Sequence, residues 1–197
     1  MRLRARLSPL VLGIALVGVP CFANAASYSE TVNGDMSDDR LAPSSVALDF
    51  GSNTISGSTV AGDIDYLTVH VPDGGVFAAL VLTAFASADD PAFMPIQGGT
   101  QFAEPASGSD VANLLGWAHP GLPLGDDSLA IIGKAAGAIG YGEPLPAVDY
   151  TVRIQQTGPH PVDYAFDAKV TLPVLGSLAL LAFALAVLGA PRGRASR

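Results

Sequence analysis

Asp65-Tyr66-Leu67-Thr68-Val69-His70-Val71 alternates in character and then runs into Pro72-Asp73-Gly74-Gly75. Successive side chains of an extended chain point to opposite faces. Leu67, Val69 and Val71 therefore share one face, and Tyr66, Thr68 and His70 the other. The proline, aspartate and paired glycines that follow are a turn signal. Beyond them, residues 76–85 are largely apolar, as in a central strand covered on both sides, and the two segments read as a hairpin. Residues 46–50 and 54–56 read as earlier strands. Later, residues 150–156 alternate again with Tyr150, Val152 and Ile154 on one face. Gly158-Pro159 breaks that run, and residues 164–170 make a last strand. No long amphipathic helix is found between residues 26 and 169, and short apolar runs alternate with Gly, Pro, Asn and Asp. The expected fold class is all-β.

Charge divides the 197-residue chain into three parts. Arg2, Arg4 and Arg6 lie at the front and Arg192, Arg194 and Arg197 at the back, while all eighteen Asp and Glu lie between them. With only Arg40, Lys134, Arg153 and Lys169 to offset the acids, the middle carries a net charge of −14. Such a surface repels phosphate backbones, which argues against a nucleic-acid partner. The single cysteine, Cys21, lies in the front segment, so disulfides play no part in the middle.

The ends read as export and membrane signals. A basic start, an uncharged stretch from Leu10 to Val19 and the small residues Ala23-Asn24-Ala25 form the three parts of a secretory signal peptide over residues 1–25, with cleavage expected before Ala26. Residues 172–190 carry no charge. As a helix they would span roughly 28 Å at about 1.5 Å per residue, close to the hydrocarbon thickness of a bilayer. The arginines that follow favour the cytoplasmic side, which puts the middle domain outside.

Val170-Thr171-Leu172-Pro173, an apolar helix and the tip with Arg192, Arg194 and Arg197 together resemble the C-terminal sorting signals handled by exosortases. Those signals are known as PEP-CTERM, with a sister form reading Val-Pro-Leu-Pro-Ala. The resemblance implies that an exosortase-type enzyme at the membrane cuts within residues 171–197, near Leu172-Pro173, and passes the domain to the surface. A plain single-span anchor is the competing reading. In the middle, residues 62–74 (Gly-Asp-Ile-Asp-Tyr-Leu-Thr-Val-His-Val-Pro-Asp-Gly) and 147–152 resemble the bacterial pre-peptidase C-terminal domains. That resemblance implies a single jelly-roll-like β-sandwich over residues 26–170, an accessory module of a kind that in some members binds calcium or carbohydrate. Residues 90–140 depart from it and read as an insertion or a divergent set of loops.

The histidines are His70, His119 and His160, and neither a G-x-S-x-G nor an H-E-x-x-H motif occurs. His70 reads as an idle surface histidine. The glycine-rich run from Gly133 to Gly142 lacks phosphate-loop spacing and reads as a turning loop. Carboxylates are the better candidates. Asp35, Asp38 and Asp39 crowd one turn-rich stretch, and Asp63 and Asp65 bracket a strand start. Calcium takes six to eight oxygens, and such loops supply several, so these five are the candidate ligands. Trp117 is the candidate for stacking on a sugar. The expectation is therefore a non-catalytic exported protein of the cell surface or matrix, associated with exopolysaccharide. The alternatives are a calcium-dependent carbohydrate-binding module and a secreted hydrolase using paired carboxylates.

Overall fold

The structure, a computed structural model, describes residues 25–88, 92–119 and 123–173. The expected leader up to residue 24, Ala23 included, lies outside the described residues. So does the expected membrane segment beyond Pro173, with Arg192, Arg194 and Arg197. Among the described residues no helix is long and apolar enough to cross a membrane.

The fold is all-β. Its strands are β1 (Ser27–Ser29), β2 (Ser44–Ala47), β3 (Gly51–Thr59), β4 (Ile64–His70), β5 (Val76–Ser87), β6 (Ala92–Gly98), β7 (Gly116–Ala118), β8 (Leu145–Pro146), β9 (Asp149–Gln156) and β10 (Val162–Thr171). Among the described residues two short α-helices, α1 (Glu30–Asn33) and α2 (Ser128–Ile132), and a 3-10 turn at Val111–Asn113 accompany them. One sheet has the order β1-β3-β10-β5-β8 and the other β2-β4-β9-β6-β7. β1 pairs with β3, and β2 with β4, in parallel; the remaining pairings are antiparallel.

The alternation read in the sequence sets the core. Leu67 and Val69 of β4 and Tyr150, Val152 and Ile154 of β9 point inward from one sheet. They meet Ile55 of β3, Phe77, Leu80 and Leu82 of β5, and Phe166, Ala168 and Val170 of β10. The void left between the sheets is about 10 Å3 and wholly apolar in its lining, so it stays dry.

The hairpin expected of residues 65–85 does not form. β4 and β5 lie in different sheets, and the turn with Gly75 N donating to Pro72 O at 3.0 Å carries the chain from one to the other. Gly74 sits there at φ 76°, a conformation that glycine adopts without steric cost. Long-range pairing decides the outcome. β5 matches β10 from Val76↔Thr171 to Ser87↔Val162, while β4 matches β9 from Ile64↔Gln155 to His70↔Asp149.

Residues 90–140 are also more than loops. β6 puts Ala92, Met94 and Ile96 into the core, although Pro95 has no N–H to give the ladder. Its pairing with β9 runs through Phe93↔Gln155 and resumes at Ile96↔Val152. Residues 99–115 then cover the outer face of the β4–β9–β6 sheet. Tyr66 and Thr68, which alternation alone would leave on an open face, are buried beneath them.

The clamp for this cover is Arg153 of β9, only 1% exposed. Its guanidinium lies 5.0 Å from the Phe93 ring centroid and 5.3 Å from that of Phe102, and its Nη1 donates to Pro105 O and to Ser109 Oγ. Gln97 adds an accepted bond from Ala103 N at 2.8 Å and donates to Asn113 O at 3.0 Å. A lysine cannot stack as a plane and donate along its edge at once. Arg153→Lys is therefore expected to cost about 2 kcal/mol in urea unfolding and to open residues 99–115 to limited proteolysis, where the wild type is cut slowly.

Candidate metal centre

β1 runs directly into α1, which sets Glu30 beside β3. Its Oε2 accepts from Ser58 N at 2.7 Å and its Oε1 from Met36 N at 3.2 Å. This close approach needs a glycine in the wall: a Cβ on Gly57 would sit 2.7 Å from Glu30 Cδ and 2.6 Å from the Tyr164 hydroxyl.

Asp65 arrives from the opposite sheet. It shares the parity of Leu67 and Val69, so the alternation that builds the core also drives this carboxyl inward, to 0% exposure. Its Oδ2 accepts from the Tyr164 hydroxyl of β10 at 2.7 Å, a bond that joins the two sheets. Its Oδ1 is buried with no hydrogen-bond partner among the described residues. Oxygens of Glu30, Asp35 and Asp65 lie within 4.8 Å of one another.

Burial raises the Asp65 pKa to about 8. The hydrogen bond from Tyr164 works against that rise, and the charges of Glu30, Asp63 and Asp35 add to it. Burial and the nearby Asp35 and Asp38 also raise Asp63. Burial pushes Tyr164 far upward, and the neighbouring Asp65 adds to the effect, so it donates as a neutral phenol. Above the cluster opens a groove of about 460 Å3. Glu30, Asp35 and Asp163 line it together with Ser29, Thr31, Ser56 and Ser58.

Of the five aspartates singled out in the sequence, Asp35 and Asp65 converge on this point. Asp38 Oδ1 accepts from Ile64 N and Asp39 Oδ1 from Leu41 N, each at 2.9 Å, so these two cap backbone instead. Asp63 acts on the cluster through its charge. Glu30 and Tyr164 were not singled out. Glu30 lies 35 and Tyr164 99 positions from Asp65 in sequence, and each is brought to it by strand pairing that no local pattern announces.

Trp117 is half-buried, its ring 6.0 Å from Phe93 and 5.6 Å from His119, with the indole N–H buried and unpaired. It packs against the cluster under residues 99–115 rather than offering a free platform. His70, read as idle, shares a 2.8 Å bond through Nδ1 with Asp149 Oδ1. The Gly133–Gly142 run is a tied loop: Ile139 N and Gly140 N donate to Leu114 O and Leu115 O, and the Tyr141 hydroxyl to Leu129 O.

Comparison of the chain with protein families, with curated proteins and with solved structures finds no match.

With no cation bound, the folded chain holds a proton on Asp65 up to about pH 8, whereas the unfolded chain loses it near pH 4. Across that window the folded state carries the extra proton, so stability falls as pH rises. One such group contributes at most about 1.4 kcal/mol per pH unit. Urea unfolding in EDTA should therefore show lower stability at pH 8 than at pH 5, and Asp65→Asn, which mimics the protonated acid, should flatten the difference. Equal slopes for the two proteins would refute this assignment.

Proposed function

We propose that the chain is an exported, membrane-sorted, non-catalytic protein of the cell surface or extracellular matrix, associated with exopolysaccharide, whose jelly-roll-like body is of the pre-peptidase C-terminal kind and seats calcium. The observation that carries the export reading is where the ends of the fold lie. Ala26 N donates to Asn53 Oδ1 at 3.1 Å, and Ala26 O accepts from Thr54 N at 3.0 Å. On the other side of the same strand, Asn53 pairs with Ala168 and Gly51 with Val170. The first and last strands thus meet the two terminal segments at one end of the sandwich, so a single bilayer face serves both. The expected cut points, before Ala26 and near Leu172-Pro173, fall outside strands, and Ala25, Leu172 and Pro173 are exposed.

Asn53 is a seat for the new N-terminus. Only 1% exposed, it also accepts from Asp49 N and donates to the carbonyls of Asp49, Gly51 and Ala168. A signal peptidase, an exosortase-type enzyme and a membrane are the partners this reading requires. Mass spectrometry of the exported product should find an N-terminus at Ala26 and a C-terminus near residue 172. A chain ending at Pro173 should lose membrane retention and processing. A product that keeps both terminal segments and resides in the cytoplasm would end the proposal.

Calcium is favoured by the unpartnered Oδ1 of Asp65 beside Glu30 and Asp35. Three carboxylates on hard oxygen donors suit this ion. Asp65 is a poor general acid for a hydrolase, because its carboxyl lies fully buried, out of reach of a substrate oxygen. Calcium at 100 times its dissociation constant should stabilise the fold by about 2.7 kcal/mol. Asp65→Asn should abolish the thermal shift while the protein stays folded. No shift in the wild type at millimolar calcium would remove the cation from the account.

A further inference from the structure

The three converging carboxylates cannot complete the coordination of the cation they would hold. Both Glu30 oxygens already accept backbone N–H groups, and Asp65 Oδ2 already accepts the Tyr164 hydroxyl. At about one free oxygen position each, they supply roughly three of the six to eight that calcium takes. Glu30 and Asp35 belong both to the cluster and to the groove wall, with Asp65 buried behind them, so the groove is the side from which a further ligand can reach a cation held there. The rest of that wall is rich in hydroxyls, from Ser29, Thr31, Ser56 and Ser58. These side chains donate and accept hydrogen bonds, as sugar hydroxyls do.

Charge then selects among ligands. Glu30, Asp35 and Asp65 exceed the two positive charges of the ion. Asp163 lines the groove, and Asp38 and Asp63 stand close enough to act on one another. The site therefore stays negative after the cation binds, which opposes uronates, phosphates and sulfates. We propose that the groove takes a neutral polysaccharide, two of whose adjacent hydroxyls complete the coordination sphere of the cation on Glu30, Asp35 and Asp65. This rests on the calcium reading above and adds the ligand class to it.

Isothermal titration calorimetry on the full chain in detergent tests both levels separately. Calcium chloride is titrated first, followed by a neutral mannan, a neutral galactan and polygalacturonate, each in calcium and in EDTA. The expected result is heat for calcium, then heat for at least one neutral polymer that disappears in EDTA, with polygalacturonate at least tenfold weaker. Thr31 is an exposed wall residue that is not one of the three carboxylates. Thr31→Tyr should leave the calcium heat unchanged and abolish the glycan heat. Calcium heat with no heat from either neutral polymer would overturn the ligand proposal and leave the cation reading standing. Neutral-polymer binding that persists in EDTA, or polygalacturonate binding as tightly, would overturn it too. No calcium heat would overturn both.

Discussion

The 2.7 Å hydrogen bond from Tyr164 to Asp65 is the constraint on which one end of the molecule is built. A carboxyl removed from water must be neutral, paired or bound to a cation, because an isolated buried charge is prohibitively unfavourable. Tyr164 satisfies one oxygen and ties the β10 sheet to the β4 sheet. The other oxygen has no hydrogen-bond partner among the described residues, and the charges of Glu30, Asp35 and Asp63 make ionisation harder still. The site thus has two ways to settle: a proton on Asp65, or a cation among the three carboxylates. The same burial that makes the carboxyl a poor anion would strengthen its attraction to the proposed calcium.

The rest of the body is arranged so that this tension is local. The core is apolar and closely packed without disulfides, and its inward positions come from strands paired over long sequence distances. On the far face of the second sheet, Arg153 holds residues 99–115 down by stacking between two rings. The chain ends leave from the start of β3, while Gly57 and Ser58, near its finish, stand at the groove.

Several of these features were legible in residues alone. Strand alternation correctly put Leu67, Val69, Tyr150, Val152 and Ile154 on inward faces, because the two-residue period is a local property of the chain. The turn at residues 72–75 was equally plain, yet it joined two sheets rather than two neighbours in one. A turn signal says that the chain reverses and says nothing of which strand it then pairs with. β6 was hidden by Pro95, and the cover over Tyr66 by the irregular residues 99–115, which carry no periodic signal. Asp35 and Asp65 were in view as candidates because they sit among other acids. Glu30 was not, since its place beside Asp65 depends on β1 lying against β3 and on the missing side chain of Gly57.

The sequence by itself determined the class of the fold, the faces of its strands, the acidity of its surface and the chemical character of its two ends. These follow from composition and from periods of a few residues, which need no knowledge of distant partners. Only the tertiary structure decided which strands are neighbours, which face is covered and which carboxylates converge. Those outcomes depend on pairings between residues as far apart as Asp65 and Tyr164, and the free energy of such contacts exists only once the whole chain has closed around them.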